Sequence, residues 1–122
     1  MAQSIIENTL VTSRKVLQSK FQPGRFKRRV LSIVSNVPTG RVTTYGSVAA
    51  LAGHPNAWRA VGTILKNCRT ICVPCHRVAN SSGRVGNYSD PLVKRELLRS
   101  EGVQVTKGCI KNFDQIRWPD LP

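Results

Sequence analysis

The 122 residues carry 19 Lys and Arg against 6 Asp and Glu, a formal charge of +13, with 40% apolar residues. That length holds one modest core and not two ordinary domains, so a single domain over residues 1–122 is expected. The apolar content excludes a disordered chain, no run approaches the roughly 20 apolar residues of a membrane helix, and Met1 to Ser13 lack a secretory start, so the expectation is an intracellular protein without membrane contact and with a polyanionic partner.

In chain order, Ile5, Ile6, Val11, Val16 and Leu17 suggest a helix over residues 3–20, broken at Gln22-Pro23-Gly24. Phe26, Val30, Ile33, Val34 and Val37 then follow helical spacing until Pro38-Thr39-Gly40. Thr43 or Thr44 caps the next helix, in which Tyr45, Val48, Ala49 and Ala52 lie three or four residues apart, and Gly53-His54-Pro55 breaks it. Asn56 is placed to cap a second short helix with Trp58, Val61, Ile64 and Leu65 on its apolar face and Arg59 and Lys66 pointing away. Two short helices around a Gly-containing turn sketch a helix-turn-helix.

Residues 71–79 read as a buried, irregular segment, and Arg84-Val85 as a hairpin or loop flanked by Ser82-Gly83 and Gly86-Asn87. A helix from Pro91 to Glu101 is expected to turn Leu92, Leu97 and Leu98 inward, with Gly102 as its stop. Val103-Gln104-Val105 resembles a short strand, and a tail through Phe113, Ile116 and Trp118 is expected to pack on the core.

Chemistry concentrates at Cys75-His76, since an imidazole beside a thiol can take its proton and leave the nucleophilic thiolate. On that pair alone an inert buried cysteine is an equal reading. Cys72-Val73-Pro74-Cys75-His76 also fits the pattern of covalent haem attachment, but the only methionine is Met1 and no export signal precedes it. A thioredoxin-like pair would want βαβ surroundings, and zinc ligation by Cys68, Cys72, Cys75 and His76 would be cramped.

Val73-Pro74-Cys75-His76-Arg77-Val78 resembles the active-site segment of the O6-alkylguanine-DNA alkyltransferases. Gly40-Arg41-Val42-Thr43-Thr44-Tyr45-Gly46, Ala49 to Gly53, Arg59-Ala60-Val61-Gly62, Asn67, Ser81-Ser82-Gly83, Val85 to Ser89 and Lys94 to Gly102 extend the similarity, in order and spacing, over about residues 26–105. An ordered match in this many parts is far more specific than any single motif.

The resemblance implies a mainly α fold, a winged helix-turn-helix-like DNA-binding domain with a small β element. It implies irreversible transfer of an alkyl group from O6 of guanine in duplex DNA to Cys75, by a monomer without cofactor or metal. His76 would activate Cys75 through a water, Glu101 would orient His76, and Asn67 would brace the cysteine turn. Arg59 would fill the gap left by the extruded nucleotide, with Tyr45, Thr44, Ala60 and Gly62 at the DNA surface. Tyr45 would also donate a proton to the departing guanine. Val78, Val85, Gly86, Asn87, Tyr88 and Ser89 would wall the alkyl pocket.

The match is not uniform. Many members of that family have an additional N-terminal domain, for which the residues before the match are too few. Cys68 stands where proline is common, Trp58 is bulky for its place beside Arg59, and Trp118-Pro119 resembles the tail of alkyltransferase-like proteins, which bind damaged DNA without an acceptor cysteine. A damage sensor is therefore the competing expectation, and a sequence-specific transcription factor a third.

Overall fold

The computed structural model describes residues 23–68, 73–85 and 91–119; the helix expected over 3–20 lies outside them. Helix α1 (Pro23–Ser35) begins at the proline read above as a breaker. Proline suits the first helical position, where its fixed φ is already helical and its missing N–H would have had no partner. Phe26, Val30 and Val34, four residues apart, are its buried line, and the helix stops two residues short of Val37, which is nonetheless buried.

Strand β1 (Thr43–Thr44) leads directly into α2 (Tyr45–Leu51), and of the two threonines it is Thr44 that caps, its hydroxyl accepting from the Ser47 N–H at 3.0 Å. Gly53 turns the chain with φ +93°, a conformation that a side chain would strain. Helix α3 (Trp58–Lys66) follows, but its cap is Ala57, with no side-chain bond, and not Asn56. Val61 and Leu65 are buried and Ile64 packs beside them, while Trp58 is 48% exposed and stands apart from the apolar face assigned to it. Helices α1, α2 and α3 pack on one another around a cluster that runs from Phe26 to Val78 and contains Cys75.

A 3-10 turn (Cys75–Arg77) then passes into β2 (Val78–Ala79), which pairs in parallel with β1 in the register Thr43↔Val78 and Thr44↔Ala79. A parallel pair needs a long crossover, and α2 and α3 supply it. Helix α4 (Pro91–Ser100) buries Leu98 as expected but leaves Leu92 61% and Leu97 37% exposed. The residue one turn before Leu98 on the inner face is Lys94, fully buried, so the inner line is i, i+4 through a lysine.

Strands β3 (Val105–Thr106) and β4 (Cys109–Ile110) form an antiparallel hairpin. Its turn, Lys107-Gly108, has positive φ at both positions, which matches the twist of the strands. Helix α5 (Phe113–Ile116) and the residues after it fold back as expected: Val42 donates to the Ile116 carbonyl at 3.1 Å and Trp118 to the Val42 carbonyl at 2.7 Å. A second apolar cluster, from Val42 to Ile110 with Phe113 and Ile116 against it, lies under this segment. Gly83 is required there, with φ +86° and space that would put a Cβ 3.2 Å from the Phe113 ring. The described residues are mostly helical with small sheets, and none of their helices is long and apolar enough to cross a membrane.

Candidate active site and nucleic-acid interface

Pro74 sets the cysteine turn. Its φ of −77° and ψ of 69° make an inverse γ-turn in which the Cys75 N–H donates to the Val73 carbonyl at 2.8 Å, and Arg77 then donates to the Pro74 carbonyl at 3.0 Å. Cys75 is left 7% exposed within the first apolar cluster, with Val78 in the same cluster.

The turn is fastened by charge. Glu101, just past α4, accepts from Arg77 Nε at 2.9 Å through Oε1 and from Arg77 Nη2 at 2.6 Å through Oε2, and Oε2 also meets His76 Nε2 at 2.8 Å. Arg77 has two further bonds, from Nη1 to the Val37 carbonyl at 2.8 Å and from Nη2 to Thr39 Oγ1 at 3.0 Å. Burial alone would raise the pKa of Glu101, but the hydrogen bonds and charges of Arg77 and His76 outweigh it and hold the carboxyl down at about 2. Glu101 is thus an anion throughout the neutral range, bonded to one nitrogen of His76.

Burial pushes the Cys75 thiol up to about 12, with the charge and hydrogen bond of Cys68 in the same direction and Lys94 opposing them. The resting sulfur is protonated at neutral pH. Tyr45, half-buried on α2, is raised to about 12 by burial and by Cys75, so it too keeps its proton. Lys94 links the two: Nζ donates to the Val78 carbonyl at 2.7 Å, lies 3.5 Å from the Tyr45 hydroxyl and 5.7 Å from the centroid of its ring. Burial lowers the Lys94 pKa to about 8, against the pull of Cys75. A cation beside a buried thiol favours the thiolate, so Lys94 belongs to the site although the sequence reading assigned it no role. Counting back one turn from Leu98 was the signal that could have found it.

The second surface is the outer face of α3. Trp58, Arg59, Gly62, Thr63 and Lys66 recur at intervals of one and three residues and, with Tyr45 and Asn80, line a groove of about 300 Å³. Arg59 is exposed, its guanidinium carbon 5.0 Å from the centroid of the Trp58 ring, while Ala60 packs partly inward. Tyr45 reaches both the groove and the surroundings of Cys75, so the two surfaces meet at one side chain.

The remaining expected residues fall differently. Thr44 is 1% exposed and spends its hydroxyl on the α2 cap and on Ser47, so its side chain supports the helix from within and does not reach a surface. Val85 is buried in the second cluster and not in that of Cys75. Asn67 is the exposed C-cap of α3, and its side chain makes no hydrogen bond among the described residues. Gly86, Asn87, Tyr88 and Ser89 lie outside the described residues.

Two helices around a tight turn, an exposed arginine on the second and a Pro-Cys-His turn whose cysteine is buried define a DNA-binding domain of helix-turn-helix type with a built cysteine site. Residues 25–103 match the DNA-binding domain of 6-O-methylguanine DNA methyltransferase, and the chain belongs to that family. It is similar to the methylated-DNA–protein-cysteine methyltransferase of Homo sapiens, 49% identical over 90 residues, 71% of this chain and 44% of the human one. It is also similar to the DNA base-flipping protein of Escherichia coli, 41% identical over 95 residues, 76% and 74% of the two chains. Among solved structures, S. pombe Atl1 in complex with damaged DNA containing O6-carboxymethylguanine superposes with a TM-score of 0.73 at 31% identity, over 80% of this chain and 98% of that one. The chain spans less than half the length of the methyltransferase relatives it matches.

Proposed function

We propose that this chain repairs duplex DNA by moving an alkyl group from O6 of guanine to the sulfur of Cys75, once per protein molecule, with the nucleotide turned out of the stack. The observation that carries the reading is the buried cysteine held between the His76–Glu101–Arg77 network and Lys94. With Nε2 of His76 committed to Glu101, Nδ1 is the ring atom left to accept the thiol proton, through a water. Sulfur attacks the alkyl carbon, a C–S bond forms as the C–O6 bond breaks, and the electron pair leaves with guanine. Tyr45, still protonated, supplies the proton that neutralises the departing base. Arg59 occupies the space that the base vacates.

The second reading is a non-enzymatic sensor of alkylated DNA, favoured by the likeness to Atl1 and to the base-flipping protein. Incubation with a duplex containing O6-methylguanine, followed by mass spectrometry of the digested protein, separates the two. Transfer predicts one methyl per molecule on the Cys75 peptide, an amplitude that stops at the protein added, and none in Cys75→Ala, which still binds DNA. A thioether has no good leaving group, so turnover over many lesions would exclude this mechanism. Binding without gain of mass would establish the sensor.

A further inference from the structure

Trp58 opens α3 with 48% of its surface exposed, although an indole is among the side chains that gain most from burial, and it belongs to neither apolar cluster. Two observations give that exposure a use. Arg59 rests its guanidinium over the ring at 5.0 Å, so the cation and the indole form one surface element. Trp58 also lines the groove that runs along α3 past Thr63 to Lys66, where a second cation stands two turns away. A ring for the π-face of a base, flanked by cations for phosphates, is the combination by which unpaired nucleotides are held.

We propose that Trp58 stacks on a DNA base beside the position that Arg59 enters, holding open a step that has lost its neighbour. The inference rests on the reading that the outer face of α3 meets DNA, and it adds an aromatic contact that serves any base and so does not narrow sequence preference. Arg59 is pre-set by the same ring, which lowers the cost of ordering a long side chain on binding.

Sequence numbering leaves two tryptophans, so Trp118→Phe makes Trp58 the sole indole reporter. In that background, a duplex with one O6-methylguanine should quench the emission of Trp58 and shield it from acrylamide. Trp58→Ala and Trp58→Leu should weaken duplex binding about five- to tenfold, as loss of one base–aromatic stack does, and Trp58→Phe should restore most of it. Leu binding as well as Phe would show that bulk and not stacking matters, and an indole equally open to acrylamide in the complex would overturn the contact outright. The Phe–Leu comparison holds even if all three variants lose some stability. A chain that binds with a quenched indole yet never gains an alkyl group loses the transfer reading and keeps this one; alkyl gain with an open indole does the reverse.

Discussion

Around Cys75 the fastening side chains come from distant parts of the sequence, with Arg77 tied to Val37, Thr39 and Glu101, and Lys94 to Val78. On the outer face of α3, Trp58, Arg59, Thr63 and Lys66 come from one helix, and Arg59 leans on the indole next to it. The first region fixes atoms through long-range contacts in a low-dielectric setting, which a reaction needs. The second displays charge and an aromatic ring on an exposed helix face, which suits a flexible polyanion. Stability and chemistry should therefore fail together at the first region and separately at the second.

Arg77→Ala should show the largest loss. It removes four hydrogen bonds, leaves Glu101 to His76 alone and strips the Val37 carbonyl of its partner, so we expect about 2–3 kcal/mol less stability in a urea melt and transfer slowed about 100-fold in single-turnover kinetics. A carboxyl held at about 2 stabilises the fold above its ordinary pKa of 4.5, and that contribution fades as the pH falls from 4.5 towards 2. Without Arg77 acid unfolding should begin at higher pH. Slow transfer with an unchanged melt would mean that the network serves chemistry only.

Lys94→Met comes next, with transfer about tenfold slower because the cation that favours the Cys75 thiolate is gone. Lys94 has a pKa of about 8 when folded and 10.5 when exposed, so between those values its contribution to stability rises with pH, by at most about 1.4 kcal/mol per unit, while Cys75 opposes it above pH 9 and Tyr45 above pH 10. Melts between pH 8 and 9, below the range in which the raised Cys75 and Tyr45 act in the opposite sense, should show that rise in the wild type and not in the variant. An identical rise in both would remove Lys94 as its source.

Cys68→Ala should act in the opposite sense and more weakly. Cys68 adds to the burial that raises the Cys75 pKa, so its loss should lower that pKa and speed alkylation of Cys75 by a soluble reagent about two- to fivefold. A slower variant would assign Cys68 to packing. The smallest effect falls on the α3 face: at Gly62 a Cβ would lie 4.0 Å from the Tyr45 ring, an ordinary contact, so Gly62→Ala should raise the thermal midpoint by the equivalent of about 0.5–1 kcal/mol. Destabilisation there would mean that the groove is as closely fitted as the cysteine turn.

The same contrast explains what the sequence disclosed. Pro74, Cys75, His76 and Arg77 were legible because they stand in one motif whose chemistry admits few residue types, whereas Glu101, 25 residues from His76, was reached only through the family resemblance. Lys94 was not, since Leu92, Val93, Leu97 and Leu98 offer apolar points around most of α4, and the count back to Lys94 selects itself only once Leu98 is known to be the buried one. Trp58 reads as core by its chemistry and is a surface residue by its partner, Arg59. The pairing of β1 with β2 joins two residues to two others across the whole helix-turn-helix, too short for any periodic signal. Caps divided by mechanism: Thr44 captures an N–H as its residue type predicts, while Asn56 yields to Ala57, which does without a side-chain bond.

The clip between Val42 and the segment around Arg117 bears on the order in which the chain can acquire its shape. Every buried member of the first cluster lies between Phe26 and Val78, so that unit has all its parts once Val78 has emerged during synthesis. The second begins with Val42 but waits for Ile110, and its cover waits for the bonds that Ile116 and Trp118 make to Val42. Domains close as their parts emerge, N-terminal portions first. The cysteine turn is thus assembled on one side early, while Lys94, which bonds to Val78, and Glu101, which bonds to His76 and Arg77, reach it only afterwards. A nascent chain carries Cys75 and His76 before it carries Lys94 and Glu101.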